Sequence, residues 1–227
     1  PQLCLAGKAP PKGTTVELNH IDTPSNMNLW PLYHNGVANG LRITPNAHSI
    51  DNTWIIFNKP KGSMEQQMEH AGFLMALGLN GHLKNLNVLN TYDYLAKLHE
   101  MTSIGILLGL SAAFRGTCDL SMTKMLSLHL EALLPPTSME LDVHQNVQVA
   151  GLLGIGLVYQ GTSHRHIIEV LLSEIGRPPG PEMENSVDRE SYSLAAGLSL
   201  GLVTLKQGSC SLGLSDLNIS DRLHYYM

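Results

Sequence analysis

A glycine-bearing apolar segment that recurs along the chain constrains the fold more than any other feature of the sequence. Its three clearest copies read LLGLSAAFRGT, LLGIGLVYQGT and SLGLVTLKQGS, at 107–117, 152–162 and 199–209. A weaker copy, shifted 31 residues toward the N-terminus, has Gly78 in place of Gly109 and Asn85 in place of Gly116. Self-similarity at a period of about 20 to 50 residues is typical of solenoid proteins, in which each repeat packs on its neighbours.

An amphipathic segment follows the glycine-bearing one in the two copies that start at residues 107 and 152. Its apolar residues are spaced i, i+3, i+4 and i+8, as at Met122, Met125, Leu126 and Leu130, and the same spacing returns 45 residues later. This spacing places the apolar side chains on one helix face. Each unit is therefore predicted to be a helix A, a glycine turn and a helix B packed antiparallel to it. The predicted fold class is mainly α, an α-solenoid of helical hairpins.

The glycines within helix A need a physical reason. Glycine in a helix interior is unfavourable by about 1 kcal/mol relative to alanine, so the pairs Gly105 with Gly109 and Gly197 with Gly201 each destabilise their helix by about 2 kcal/mol. Residues at i and i+4 share a face, and glycines there allow a neighbouring backbone to approach closely. We therefore predict that they form seams between packed helices. The predicted repeat-packing residues are Gly78, Gly105, Gly109, Gly116, Ala150, Gly154, Gly161, Gly197, Gly201 and Gly208.

The texture of the sequence divides the chain into three parts. Residues 1–63 contain the β-prone runs TVEL, LWPLY and TWIIF and two Asn-Gly pairs, and are predicted to form strands and loops that precede or pack on the repeats. Residues 64–209 hold about four repeats, of which the last lacks an evident helix B and the first has Leu74 where the others have Gly or Ala. Residues 210–227 are predicted to begin an insertion or tail. The chain is expected to be a piece of a longer protein.

Composition argues against several classes of function. The net charge is -5 and no basic run is present, so neither nucleic acid nor an anionic membrane is an expected partner. The longest uncharged apolar runs have 13 residues, whereas a membrane-spanning helix needs about 20. The three cysteines have no paired spacing, and the histidines fit surface or helix-cap positions, so no metal, cofactor or catalytic residue is predicted. We expect a reducing location, nuclear and cytoplasmic.

The repeat unit LLGLSAAFRGT…MTKMLSLHL resembles the proteasome/cyclosome repeat, a glycine-rich helical hairpin. The segments ALLPPTS, EIGRPPGPEME, DRESYSLAAGLSLGL and LWPLYHNGVANGLRI are similar to the family of large scaffold subunits (subunit 1) of the anaphase-promoting complex, or cyclosome. In that family the repeats curl into a closed or nearly closed toroid of two helical rings. The resemblance implies that this chain forms an arc of such a toroid.

The resemblance also implies a function. It predicts a non-catalytic scaffold in a cell-cycle E3 ubiquitin ligase that acts in mitosis, with catalytic subunits on other chains. The expected partners are the other subunits, including the substrate-recognition subunit and, through it, the co-activator; the sequence does not identify the surface that binds each. Two alternatives are a repeat scaffold of the proteasome regulatory particle, which the proline-rich loops argue against, and an unrelated binding or nucleotide- or metal-dependent function in residues 1–63.

Overall fold

The computed structural model describes residues 27–97, 99–135, 143–179, 186–208 and 213–226, together with the backbone of two short segments. Those two segments are the strands β1 (Gly7–Ala9) and β2 (Thr14–Val16), which pair antiparallel with Gly7 opposite Val16. Most of the rest of the described chain is helical, so the prediction of a mainly α, solenoid-like fold is confirmed. The α-helices within the described residues are α1 (Leu29–Gly40), α2 (Asn52–Phe57), α3 (Met64–Leu79), α4 (Val88–Leu95), α5 (Glu100–Ala113), α6 (Leu120–Ser127), α7 (Gln145–Val158), α8 (Arg165–Ile175), α9 (Ser186–Val203) and α10 (Ile219–Tyr226).

The predicted hairpins correspond to consecutive helices. Helix A of the four copies is α3, α5, α7 and α9, and helix B of the first three is α4, α6 and α8. Side-chain caps mark where several helices begin, because they accept hydrogen bonds from otherwise unpaired backbone N–H groups. The Asp119 carboxylate accepts from the Met122 N–H at 2.9 Å, and the Asp51 carboxylate accepts from the Trp54 N–H at 2.8 Å.

Two of the three strands predicted in residues 1–63 are wrong. The run LWPLY lies in α1 and the run TWIIF lies in α2, whereas β2 overlaps the start of TVEL. The two Asn-Gly pairs are not turns either, since Gly36 and Gly40 are both residues of α1. Residues 29–57 therefore form a helical hairpin of their own that precedes the four predicted copies. Local β propensity is weak evidence, and packing of α1 on α3 overrides it.

The chain forms two compact units, residues 1–106 and 107–227, rather than dividing near residue 63. The division falls within α5. In the first unit α1 packs on α3, and the core includes the buried side chains of Tyr33, Ile55 and Leu77. In the second unit α7 packs on α9 and on α6, and α8 packs on α9. The predicted closure into a toroid stays a prediction.

The turn that ends the first helix A differs from the one predicted. The residue with a positive φ is Gly81, at 86°, whereas Asn85 lies in a 3-10 turn at His82–Asn85. In the later copies the predicted residues Gly116, Gly161 and Gly208 do have positive φ, at 68°, 69° and 61°. An alignment without gaps placed the first turn four residues too late, because α3 and α5 differ in length.

Part of the chain beyond the repeats packs on them. The α10 helix contacts α8, and the Tyr226 ring stands where a Cβ at Gly176 would lie, with its Cε1 2.4 Å away. The Arg165 guanidinium on α8 also pairs with Asp216 and donates to the Gly213 carbonyl at 2.8 Å. The described part of the predicted tail is thus attached to the helix B layer of the second unit.

Candidate functional site: the seams between repeats

Three glycines of the first unit allow helix backbones to touch. A Cβ at Gly72 in α3 would lie 1.8 Å from the Tyr33 carbonyl oxygen of α1, and a Cβ at Gly36 would lie 1.8 Å from the Glu69 carbonyl oxygen. A Cβ at Gly105 would lie 2.1 Å from the carbonyl oxygen of Ala71. Real Cβ contacts stay beyond about 3.0 Å, so only glycine fits these positions.

The sequence prediction did not include two of these glycines. Gly72, and not Leu74, occupies the position in α3 that Gly105 occupies in α5, since each faces a carbonyl oxygen of another glycine-bearing helix. Gly36 was assigned to a turn, although Gly36 and Gly40 have the same i, i+4 spacing as Gly105 and Gly109. That spacing was the signal that could have found the α1 hairpin. The predicted residues Gly78 and Gly109 are buried within α3 and α5.

In the second unit, side chains fill more of the seam. A Cβ at Gly154 would lie 2.7 Å from both the Leu126 Cδ2 and the Ser111 Oγ, whereas the predicted residue Ala150 is buried with a Cβ of its own. The closest backbone approach is at Gly156, which the sequence prediction omitted: a Cβ there would lie 2.7 Å from the Ser199 Cα. The α7 and α9 helices therefore touch at Gly156.

Backbone hydrogen bonds connect successive hairpins of the second unit. The N–H groups of Gly116 and Cys118 donate to the Leu157 and Val158 carbonyls at the end of α7, over 2.9 and 3.1 Å. The same pair of bonds recurs one repeat later, where the N–H groups of Gly161 and Ser163 donate to the Leu202 and Val203 carbonyls over 2.9 and 3.0 Å. Carbonyls at a helix C-terminus have no partner within the helix, so the turn of one repeat satisfies the helix end of the next. We call these bonds the turn ladder.

The positive φ of the turn residues makes the turn ladder possible. Gly116 and Gly161 have φ near 69°, and Cys118 and Ser163, two residues later, have φ of 52° and 54°. Glycine adopts this left-handed region without the steric cost that a Cβ brings. The terminal glycines were predicted from the sequence, but the bonds they make to the next repeat were not.

The last predicted glycines face open space. No described atom lies within 4 Å of where a Cβ would stand at Gly197, Gly201 or Gly208. On the same helix, Leu194 is 65% exposed and Leu198 is 55% exposed. The α9 helix thus has one face packed on α7 and another face, formed by these leucines and by Gly197 and Gly201, that no described residue covers. We call the second surface the α9 face.

A buried ionic network joins α8 to the start of α9. The Glu174 carboxylate is buried and accepts a hydrogen bond of 2.6 Å from the Tyr192 hydroxyl. The Arg177 guanidinium lies 3.5 Å from Glu174 and 3.1 Å from Glu131. Burial and the Glu174 charge raise the pKa of Tyr192, so its hydroxyl stays protonated and keeps donating. This network holds residue 177 in place, although the sequence had suggested that the proline-rich segment after α8 loops outward.

Three histidines act as helix caps, as the sequence interpretation allowed. The Nδ1 atoms of His99, His144 and His164 accept backbone N–H groups from Thr102, Asn146 and Ile167 over 3.4, 3.3 and 3.5 Å. Across the described ranges no group of three or more His, Cys, Asp or Glu side chains is arranged to hold a metal ion. The helices described in the structure are also too short or too polar to span a membrane.

Two family models match consecutive parts of the chain. One, described as the APC1 fourth domain, matches residues 1–115, and the other, the APC1 fifth domain, matches residues 120–227. The chain belongs to the APC1 family. The resemblance inferred from the repeat sequences is therefore confirmed, and both models are APC1 domains rather than domains of a proteasome subunit. The boundary between the two APC1 domains lies close to the division between the two compact units.

Curated relatives agree with the APC1 assignment. The chain is 64% identical over 229 residues to "Anaphase-promoting complex subunit 1" of Homo sapiens, covering 100% of this chain and 12% of the human protein. It is 44% identical over 227 residues to the protein of the same name from Dictyostelium discoideum, covering 100% of this chain and 10% of the relative. It is 41% identical over 226 residues to "Negative regulator of mitosis" of Emericella nidulans, covering 98% and 11%. The chain thus spans 10 to 12% of the length of these APC1 relatives.

Proposed function

We propose that the chain is part of a non-catalytic scaffold of the anaphase-promoting complex, a cell-cycle E3 ubiquitin ligase. Its membership of the APC1 family and the printed names of its relatives support this proposal. In this role the repeats hold other subunits in position, and the ubiquitin-transfer chemistry belongs to other chains.

The turn ladder is the observation that best supports a scaffold role. Two backbone hydrogen bonds link each hairpin turn to the next helix A in the second unit, and the same two bonds recur at both steps. Links made by backbone atoms fix the register of neighbouring repeats independently of surface side chains. Stacked repeats of this kind present extended surfaces that are suited to binding other proteins.

The α9 face supports stacking of a further hairpin on the second unit. Gly197 and Gly201 destabilise α9 by about 2 kcal/mol relative to alanine without any described contact to compensate. The exposed leucines at 194 and 198 would bury apolar surface against such a hairpin. In the complete polypeptide we place the continuation of the repeat stack on this face.

The proposed partners are the other subunits of the anaphase-promoting complex, including the substrate-recognition subunit and, through it, the co-activator. No cofactor, nucleic acid or membrane is part of the proposal, and the net charge of -5 gives little attraction for either polyanion. The proposed location is nuclear and cytoplasmic.

Affinity purification of the complete polypeptide, with partners identified by mass spectrometry, tests the scaffold proposal. We expect ubiquitin-ligase subunits to copurify, and we expect the purified 227-residue chain to form no ubiquitin chains with activating and conjugating enzymes alone. Recovery of no ligase subunit would refute the proposed assembly. Ubiquitin transfer by the isolated chain would refute the non-catalytic role.

A further inference from the structure

An open groove of about 340 Å³ in the first unit has the features of a peptide-binding surface. It is lined by residues of α1, of α3 and of the loop that connects α2 to α3; its walls include Asn39, Asn58, Pro60 and Gln66, and its base includes His70 and Phe73. Its volume lies near the lower end of the range of about 300 to 1,000 Å³ typical of ligand sites. We call it the α3 groove.

The base of the α3 groove belongs to a row of aromatic rings. The Phe73 ring lies 6.2 Å from Trp54 and 6.3 Å from His70, measured between ring centroids, and His70 lies 5.8 Å from Tyr94. Burial, together with the charge of Lys59, lowers the pKa of His70 to about 4, so the imidazole is neutral at physiological pH. Its Nε2 bonds the Tyr94 hydroxyl at 2.9 Å. The base is therefore an uncharged aromatic surface.

Two large apolar side chains at the ends of the loop are exposed. Phe57, immediately before Asn58, is 85% exposed, and Met64, two residues before Gln66, is 63% exposed. Single exposed apolar side chains are common, but two that bracket a groove with an aromatic base indicate a surface that a partner covers. Aromatic residues and methionine are also enriched at protein interfaces.

Positive charge is concentrated at one end of the same loop. The Lys59 ammonium lies 4.0 Å from the centre of the Tyr94 ring, and Lys61 follows after Pro60. Burial lowers the pKa of Lys59, and the nearby charge of Lys97 lowers it further, while Asp93 opposes the shift. Two ammonium groups held this close repel each other, and an anion between them would relieve the repulsion. The only acidic side chain among the lining residues is Glu69, which lies beside Gly36 on the α1 side.

We infer that the α3 groove binds an extended acidic peptide segment of a partner protein. One apolar side chain of the peptide packs on Phe73 and His70 and is flanked by Phe57 and Met64, and an Asp or Glu carboxylate pairs with Lys59 and Lys97. The amide groups of Asn39, Asn58 and Gln66 are available to the peptide backbone. This binding surface does not depend on the proposed scaffold function.

A peptide array tests the inference on the 227-residue chain. The array holds hexapeptides with a central apolar pair, varied over Leu, Ile, Met, Phe and Trp, and flanked by Asp and Glu, by Ser, or by Lys. We expect binding to the acidic-flanked class and at least about tenfold weaker binding to the other two classes. Equal or stronger binding to the Lys-flanked class, or no binding to any class, would overturn the inference.

Variants of the chain then locate the binding site. In fluorescence polarisation with the best acidic hexapeptide, Lys59→Glu and Lys97→Glu should each weaken binding by about tenfold or more, and Phe57→Ser should also weaken it. The matched control is Lys124→Glu, which makes the same charge change on the exposed face of α6 and should leave binding unchanged. Circular dichroism confirms folding of each variant. Equal affinity for Lys59→Glu, Lys97→Glu and the control would show that the peptide binds elsewhere and that the inference is wrong.

Discussion

The substitution Gly72→Ala separates close backbone packing from a simple helix position. A Cβ at Gly72 would lie 1.8 Å from the Tyr33 carbonyl oxygen, and a contact of at least 3.0 Å requires α1 and α3 to move apart by about 1.2 Å. The carbonyl oxygen is part of the α1 backbone and cannot rotate away. The reciprocal contact of Gly36 with the Glu69 carbonyl prevents the helices from sliding past each other.

The magnitude follows from two opposing effects. Alanine raises helix stability by about 1 kcal/mol, whereas overpacking a tight contact usually lowers protein stability by about 1 to 3 kcal/mol, and a backbone clash falls at or above the upper end. We therefore expect Gly72→Ala to lower the free energy of unfolding by about 2 kcal/mol. In urea, with a slope of about 2 kcal/mol per molar, this lowers the midpoint by about 1 M.

A matched control distinguishes packing from propensity. Gly201→Ala makes the same change in helix A of another repeat, at a position where no described atom lies within 4 Å of the new Cβ. It should raise the free energy of unfolding of the 227-residue chain by up to about 1 kcal/mol. Urea denaturation followed by circular dichroism measures both variants. If Gly72→Ala raises the midpoint as Gly201→Ala does, with an unchanged slope, the argument for backbone packing is refuted.

Three further predictions concern the buried network, a buried histidine and the turn ladder. Tyr192→Phe leaves the buried Glu174 carboxylate without its hydroxyl donor and should destabilise the chain by about 1.5 to 3 kcal/mol in urea denaturation; no change would mean that water already replaces the hydroxyl. Because His70 has a pKa of about 4 when folded and about 6.5 when unfolded, it contributes stability that is present above pH 6.5 and is lost as pH falls toward 4. Between pH 6.5 and 5 the wild type should lose about 2 kcal/mol more than His70→Phe, and parallel pH profiles would contradict this. Gly161→Ala and Gly208→Ala both place alanine at a positive φ, but only Gly161 bonds the next helix, so Gly161→Ala should destabilise the chain more; equal losses would argue against the turn ladder as a stabilising link.

Local sequence signals predicted the hairpins and most of their turns. The apolar spacing at Met122, Met125 and Leu126 describes one face of α6, and all three side chains are buried. Gly116 and Gly161 have the positive φ expected of residues that end a helix. These features depend on contacts within a few residues, so periodicity and glycine placement were sufficient to predict them.

The runs LWPLY and TWIIF show where local signals fail. Both contain residues that favour strands, yet both lie in helices, α1 and α2. Ile55 in the second run is buried, and the Asp51 cap starts that helix. In α1, Gly36 and Gly40 resemble turn glycines until the position of α3 is known. Packing between segments about 35 residues apart decided these elements, and no short window contains that information.

The sequence by itself determined the period of the repeat, the helix A and helix B pattern, the turn glycines of the later copies and the family. The tertiary structure decided which glycines touch another helix. Gly105 and Gly201 have similar apolar neighbours in the sequence, yet a Cβ at Gly105 would meet the Ala71 carbonyl and a Cβ at Gly201 would meet no described atom. A glycine's own backbone preference is local, whereas the free energy of a close helix contact depends on which segment lies opposite, and only the folded chain sets that neighbour.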